Sequence, residues 1–158
     1  MIKNQKFFGY TLIELLVVLS IISTIFGIGF ISYRDFSRRQ QVTSAMRAIR
    51  SDMRSAQERA ISGNKPTGCN GTLQGFAFNV RSAQNYRVEA ICNTNVTVSN
   101  VNLAQNISMS IPATNPIIFL PIGLGTNLPR NQIETIDVTQ TATSYSQSIS
   151  VSWTGEIK

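Results

Sequence analysis

The sequence predicts an α+β protein in which a long N-terminal membrane-spanning α-helix packs on a small antiparallel β-sheet domain. Three observations predict this fold class. An apolar run occupies residues 10–33, an amphipathic pattern with a helical period occupies residues 34–62, and short alternating segments fill residues 63–158. These patterns are typical of a membrane span, a helix with one buried face, and half-buried strands, respectively.

Residues 10–33 are long enough to cross a bilayer. The run has 24 residues with one charged side chain, Glu14, and a hydrocarbon core needs about 20 apolar residues as helix. Lys3 and Lys6 precede it, so the positive-inside rule predicts a cytoplasmic N-terminus and an extracytoplasmic remainder. A cleaved secretory signal peptide is the alternative, but the run exceeds the usual apolar region of about 7–15 residues and no A-x-A-like site follows.

Residues 34–62 are predicted to continue the same helix with one face buried. No Gly or Pro interrupts this segment, whereas Gly63 and Pro66 predict where the helix ends. Arginines occupy the other faces. The apolar stripe, at spacings of three and four, is Val42, Met46, Ile49, Met53, Ala56 and Ala60.

Residues 63–158 are predicted to form a small antiparallel β domain. Of these 96 residues, 38 are Asn, Ser, Thr or Gln and 9 are charged, a composition that would also fit disorder. Regular alternation favours six or seven short strands instead. The alternating sets are Phe76, Phe78, Val80; Tyr86, Val88, Ala90, Cys92; Val96, Val98; Ile107, Met109, Ile111; Ile136, Val138; and Ile149, Val151, Trp153. Residues 117–129 add an apolar strand followed by a turn.

Composition limits the chemistry. The chain has no histidine, so it lacks the commonest general base and metal ligand, and we expect no catalytic residues, no metal site and no cofactor. Its net charge of +6 hints at an anionic partner. However, residues 63–158 carry 5 basic and 4 acidic side chains, which makes nucleic-acid binding possible but disfavoured.

Glu14 is the costliest residue of the apolar run. A carboxylate within a membrane helix costs about 2.5–3.5 kcal/mol even on lenient insertion scales. One explanation is a shallow position from which it reaches the headgroups. The other is a cation supplied by another subunit: a chain cut after Gly9 would carry a free amine on Tyr10, and a neighbour's amine could pair with Glu14.

The segment from Gly9 to Val18, with Thr-Leu-Ile-Glu after its aromatic residue, resembles the processing motif of type IV pilins and pseudopilins. The resemblance implies that a prepilin peptidase cuts after Gly9 and methylates the amine of Tyr10, and that Glu14 is the fifth mature residue. Residues 1–9 would then be a leader peptide. It also implies partners: the peptidase, other pilin or pseudopilin subunits through helix packing, and an inner-membrane assembly platform.

The sequence departs from the family pattern at two positions. Tyr10 stands where Phe or Met is usual, and Ile31 stands where many pilins carry a helix-melting proline. Gly27 and Gly29 lie nearby and could loosen the helix, since each costs about 1 kcal/mol relative to Ala. Local melting near residues 27–31 on assembly is therefore less expected here than in pilins that carry the proline.

Within the family, four stretches resemble GspH/FimT-type minor pseudopilins: residues 33–36, 54–60, 117–123 and 149–155. The resemblance implies a minor structural subunit of a type IV pilus or type II secretion-like pseudopilus. The alternative is a binding module at the filament tip, for DNA or a surface. Some T-type members bind DNA through a basic motif after a C-terminal Gly, but here Gly155 is followed by Glu156, and only Lys158 is basic.

Cys69 and Cys92 are the two cysteines of the chain. Outside the cytoplasm their oxidation is expected, closing a disulfide that contributes roughly 3 kcal/mol by the loop-entropy relation. Two free buried thiols are the alternative.

Overall fold

The computed structural model describes residues 9–158, and the side chains of all of these except residues 28–31. The predicted leader, with Lys3 and Lys6, therefore lies outside the described residues apart from Gly9. Residues 28–31, whose side chains are not described, belong to the segment for which local melting on assembly was considered. The chain divides into two compact units, one ending at Ser37 and one running from Arg38 to Lys158.

One helix, α1, covers Leu12–Ile61 and is continuous, as predicted. In the second unit its stripe of six apolar residues is buried: Val42, Met46, Ile49, Met53, Ala56 and Ala60. At the C-terminal end, Gly63 has φ +63, the left-handed conformation that glycine adopts without a steric penalty. The predicted stop is therefore confirmed.

Seven strands follow within the described chain, and they form two antiparallel sheets. The first sheet has the order β3-β2-β1-β5 and the second the order β4-β6-β7. Their bounds are β1 Gly75–Ser82, β2 Asn85–Ile91, β3 Val96–Asn102, β4 Ile107–Met109, β5 Ile117–Phe119, β6 Ile133–Gln140 and β7 Ser146–Ser152. A short 3-10 turn, Pro121–Gly123, follows β5.

The core of the second unit is one cluster formed by the buried stripe of α1 and residues from both sheets. The predicted alternation identifies most of its members because successive strand residues point to opposite faces. Phe76 and Phe78 of β1 are fully buried, as are Ile149 and Val151 of β7. Phe78 and Tyr86 also pack as a ring pair, with centroids 4.9 Å apart.

Two alternating sets extend further in the sequence than in the structure. Strand β4 ends at Met109, and Ile111 is exposed. Strand β7 ends at Ser152, and Trp153 lies half-buried in a turn. This turn reverses the chain, with Gly155 at φ +89 donating to the Ser152 carbonyl, so that the C-terminal tail pairs with β7 through Ile157.

Asparagine side chains complete the sheets where main-chain pairing stops. The Asn115 amide accepts from the Val80 N–H at 3.0 Å and donates to the Val80 carbonyl at 2.7 Å. Asn127 makes the same kind of double bridge, to the Ile118 N–H and the Pro116 carbonyl. Part of the polar richness of the domain thus serves ordered structure, because backbone groups left without a sheet partner are satisfied by these side chains.

Candidate functional site

The described chain begins with a capped helix terminus around Glu14. Thr11 immediately precedes α1, and its Oγ1 accepts a hydrogen bond from the Glu14 N–H at 3.3 Å. The Thr11 carbonyl accepts the first helical bond, from the Leu15 N–H at 3.2 Å. Thr11 and Glu14 stand at the spacing of a capping box, in which the hydroxyl satisfies an otherwise unpaired N–H. The Thr-x-x-Glu pattern is a local sequence signal for this cap.

The Glu14 carboxylate itself has no hydrogen-bond or ion-pair partner among the described residues. It lies in the first turn of α1, where the helix dipole favours a negative charge. A shallow groove of about 280 Å³ opens beside it, lined by Tyr10, Leu15, Val18 and Leu19. Within residues 9–158, the geometry leaves this acidic side chain on an apolar surface and available to accept a cation.

Gly9 and Tyr10 precede α1 and are exposed, Tyr10 to 82%. A Cβ built on Gly9 meets no described atom within 4 Å, and its φ lies outside the left-handed range that favours glycine. No described contact or backbone strain therefore requires a glycine here. This separates Gly9 from Gly155, where an added Cβ would lie 2.9 Å from the Gln57 Nε2.

The first part of α1 exposes large apolar side chains all around its axis. Its most apolar 18-residue window has a mean hydropathy of 2.4, and none of that window is buried. The hydroxyls of Ser20, Ser23 and Thr24 donate to carbonyls of their own helix, at 2.8 Å in their shortest contacts. Because these donors are satisfied internally, they add little to the cost of an apolar environment. By length and composition, this helix is able to cross a membrane.

Cys69 and Cys92 form a disulfide, as expected, and their Cα atoms lie 5.7 Å apart. The bond joins the segment after α1 to the end of β2. An adjacent main-chain hydrogen bond, from the Asn93 N–H to the Asn70 carbonyl at 3.1 Å, links the same two segments. The alternative of free thiols is excluded in this structure.

The C-terminal segment folds against α1. Gln57 Nε2 donates to the Gly155 carbonyl at 2.8 Å. Lys158, the one base left after Gly155, forms an ion pair with Glu156 at 3.2 Å. The segment after Gly155 therefore offers a single cation beside a carboxylate and lacks the cluster of cations that phosphate binding needs.

A buried polar contact that sequence reasoning missed joins β2 to α1. The Tyr86 hydroxyl donates to Asp52 Oδ2 at 2.7 Å, and Tyr86 is fully buried. Burial raises the pKa of the Tyr86 hydroxyl well above its ordinary value of 10, and the hydrogen bond to the Asp52 carboxylate raises it further. Asp52 and Tyr86 are 34 positions apart, and no local pattern links them.

Residues 9–158 contain no group of three or more Cys, Asp or Glu side chains placed to hold a metal ion. The expectations that the protein has no cofactor and no enzymatic activity stay predictions.

Comparisons with known families match both regions of the chain. A model of the prokaryotic N-terminal methylation motif matches residues 4–30, and a model of the type II transport protein GspH matches residues 45–155. No curated protein and no solved structure matches the chain. The first match and the apolar helix fit a membrane-anchored pilin.

These families consist of structural subunits, which are processed by prepilin peptidase and assemble with other pilin subunits. They make the chain a pilin or pseudopilin subunit of a type II secretion or type IV pilus system. Neither match supports the alternative of a filament-tip binding module. Since the second match covers more than half of the chain, the protein belongs to the GspH family of type II transport proteins and is a type IV pilin-like minor pseudopilin.

Proposed function

We propose that the chain is a minor subunit of a pilus or pseudopilus that enters the filament through α1. Prepilin peptidase cuts between Gly9 and Tyr10, removes residues 1–9 and methylates the Tyr10 amine. Glu14 then pairs with the N-terminal amine of a neighbouring subunit. The single observation that carries this proposal is a Glu14 carboxylate that has no partner among residues 9–158 and lies within an exposed apolar helix surface.

Energetics favour pairing over isolation. An unpaired carboxylate in a membrane helix costs about 2.5–3.5 kcal/mol. Tyr10 and Glu14 are about one helical turn apart, so a neighbouring helix shifted by one turn would bring its N-terminal amine beside Glu14. This pairing offsets the cost. The Thr11 cap does not require an acidic side chain, and the helix dipole favours one by only about 0.3–1 kcal/mol, less than its cost in the membrane. The bond to Thr11 uses the Glu14 backbone N–H, which any residue except proline would supply.

The processing step has separate support. Gly9 is a glycine without a structural requirement among the described residues, so its identity is better explained by an enzyme that must approach the backbone there. Tyr10 is exposed and outside the helix, where a peptidase can reach the bond.

The proposed topology has a cytoplasmic N-terminus, one membrane span and an extracytoplasmic β domain of residues 63–158. Lys3 and Lys6 ahead of the apolar run support this orientation. The disulfide of the β domain also supports it, because such bonds persist in oxidising compartments. In this topology an inner-membrane assembly platform extracts the subunit from the bilayer and adds it to the filament.

The testing experiment compares two substitutions in one turn of α1. Glu14→Ala removes the carboxylate and keeps the Thr11 cap, whereas Thr11→Ala removes the cap and keeps the carboxylate. Each full-length variant is expressed with its assembly machinery, and its amounts in the membrane and in sheared filaments are measured by immunoblot.

We expect Glu14→Ala to reach the membrane at the wild-type level and to be lost from filaments. Thr11→Ala should enter filaments, since losing the cap costs only about 0.5–2 kcal/mol of local helix stability. Normal incorporation of the Glu14→Ala variant would contradict the proposal.

A further inference from the structure

A second charged feature lies on α1 within the unit Arg38–Lys158. Arg47, Arg50 and Arg54 stand at spacings of three and four, so their side chains share one side of the helix. Together with Ser51, Ser55 and Glu58, which continue this side, they line a groove of about 390 Å³. We call these six residues the arginine face.

The arginine face has unused binding capacity. In the described part of the chain, no ion pair links Glu58 to any of the three arginines. The Nε of Arg50 is buried and has no hydrogen-bond partner. A buried donor without a partner is unfavourable, and so are three neighbouring cations beside a single carboxylate. Both conditions are relieved by a group that brings negative charge and hydrogen-bond acceptors.

We propose that the arginine face binds side-chain carboxylates of a different pilin-type subunit next to this one in the filament. A guanidinium presents its N–H groups as a planar fork that matches a carboxylate with two parallel hydrogen bonds. The hydroxyls of Ser51 and Ser55 add donors along the same groove. This proposal deepens the function proposed above and rests on it.

A second copy of this chain is a poor occupant. Two copies meeting through their arginine faces would bring like charges together, which disfavours that pairing. The β domain also offers only a weak acidic surface, because one of its four carboxylates, that of Glu134, is buried and the other three each have a partner within the domain. Glu89 accepts from Asn79, Glu134 from the Ala113 and Thr114 N–H groups, and Asp137 from Ser148, while Glu156 pairs with Lys158.

A nucleic acid fits less well than a protein carboxylate. A phosphate backbone gains affinity from many cations on one surface, whereas the β domain beside this helix carries nearly equal numbers of bases and acids. Nucleic-acid binding is therefore an outcome to be tested against the proposal.

The test is photocrosslinking of the full-length protein in cells that carry its assembly machinery. The probe is p-benzoylphenylalanine at Ala48, an exposed residue of α1 that borders the arginine face and is not part of it. The adduct is digested and its partner peptide is identified by mass spectrometry. We expect a peptide from another pilin-type subunit, with an Asp or Glu next to the crosslinked position.

Charge reversal supplies the quantitative readout. Arg47 and Arg54 are both exposed, so Arg47→Glu with Arg54→Glu should leave the fold intact, which thermal unfolding checks. We expect the adduct yield to fall about tenfold, as for loss of a close charge pair. It should recover when the partner's carboxylate is changed to Lys. The matched control is Arg130→Glu with Arg81→Glu, which makes the same charge change on two exposed arginines of the β domain and should leave the yield unchanged.

Three results would overturn the inference: an adduct with a second copy of this chain, an unchanged yield in the reversed variant, or salt-sensitive retention of duplex DNA that the reversal abolishes. Glu14→Ala, measured in the same cells, separates this inference from the proposed function. If Glu14→Ala blocks assembly and charge reversal has no effect on the adduct, only the arginine face is misassigned. If Glu14→Ala assembles normally, the proposed function fails first.

Discussion

Two parts of α1 share one backbone conformation and differ in what surrounds their side chains. In the second part, from Arg38 to Ile61, the apolar stripe is buried by the strands of its own domain. In the first part, from Leu12 to Phe26, every large apolar side chain is exposed, to between 42% and 77%. A soluble domain rarely leaves so large an apolar surface uncovered.

The two parts of α1 therefore differ in where their apolar side chains find contacts. The second part of the helix has its partner within the chain, so its apolar residues contribute to folding. The first part has no such partner among the described residues, so its apolar residues are available to lipid and to neighbouring helices. Substitutions in the two parts should therefore separate stability from assembly.

The sharpest such separation compares two isoleucines of α1. Ile49→Ala in the buried stripe should lower the free energy of unfolding by about 2–5 kcal/mol, because it leaves a cavity in the core. Ile21→Ala removes the same atoms from a half-exposed position of the first part and should leave the β domain unaffected. Thermal unfolding of the full chain in detergent, followed by near-UV circular dichroism, measures both. Equal losses in the free energy of unfolding for the two substitutions would contradict this difference between the two parts of α1.

The disulfide should stabilise the second unit alone. Replacing both cysteines, Cys69→Ser with Cys92→Ser, releases a loop of 22 intervening residues, and the loop-entropy relation gives a loss of about 3 kcal/mol. Urea unfolding of the β domain measures the loss, and the wild-type protein with reductant serves as the control. Insertion into membranes should not change. A variant as stable as the wild type would show that this crosslink does not constrain the unfolded chain.

The hydrogen bond from Tyr86 to Asp52 should be the strongest polar contact between the sheets and α1, because its acceptor is charged. Tyr86→Phe removes the hydroxyl and leaves Asp52 without this donor, which should cost about 1.5–3 kcal/mol. Because folding raises the pKa of the Tyr86 hydroxyl, the folded state holds its proton more tightly than the unfolded state does. The contribution of the Tyr86 hydroxyl to the free energy of unfolding is complete below about pH 10 and is lost as the pH rises further. The stability difference between wild type and Tyr86→Phe, measured from pH 7 to pH 11, should accordingly shrink above pH 10. A difference that is constant over this range would contradict the assignment.

The smallest effect concerns an exposed apolar residue outside α1. Ile122 follows β5 with φ 58, a left-handed conformation that is strained for a β-branched side chain, and it is 84% exposed. Ile122→Gly should raise the free energy of unfolding by about 1 kcal/mol, since strain is relieved and little packing is lost. Incorporation into filaments should not change, whereas substitutions among the exposed apolar residues of the first part should affect it. Lost incorporation in the Ile122→Gly variant would extend the assembly surface beyond α1.

Sequence patterns predicted the elements of this fold whose cause is local. The stripe from Val42 to Ala60 follows from a period of 3.6 residues, and the alternation of Ile149 and Val151 follows from a period of two. Trp153 continues the alternation in the sequence but lies in a turn beyond β7, because the chain reverses at Gly155. A single glycine in a sequence does not specify the direction of such a turn.

The tertiary polar contacts could not be predicted in the same way. Asn115 bridges to Val80 across 35 positions and Gln57 binds Gly155 across 98, and both contacts exist only once the strands and the helix are assembled. At the candidate site, Glu14 was identifiable because a charge within an apolar run is costly wherever the helix lies. The cap by Thr11 also had a local signal. The shared side of Arg47, Arg50 and Arg54 follows from helical spacing in the sequence, whereas the buried Arg50 Nε without a partner among the described residues is shown only by the structure.

The most direct test of the central claim, that this chain is a processed filament subunit, is intact-protein mass spectrometry of the mature membrane and filament fractions. Processing predicts a chain that begins at Tyr10 with a methylated amine, and Gly9→Val, which adds bulk at the cleavage position, should leave the full-length chain to accumulate in the membrane. An intact Met1 on the mature wild-type protein would contradict the account.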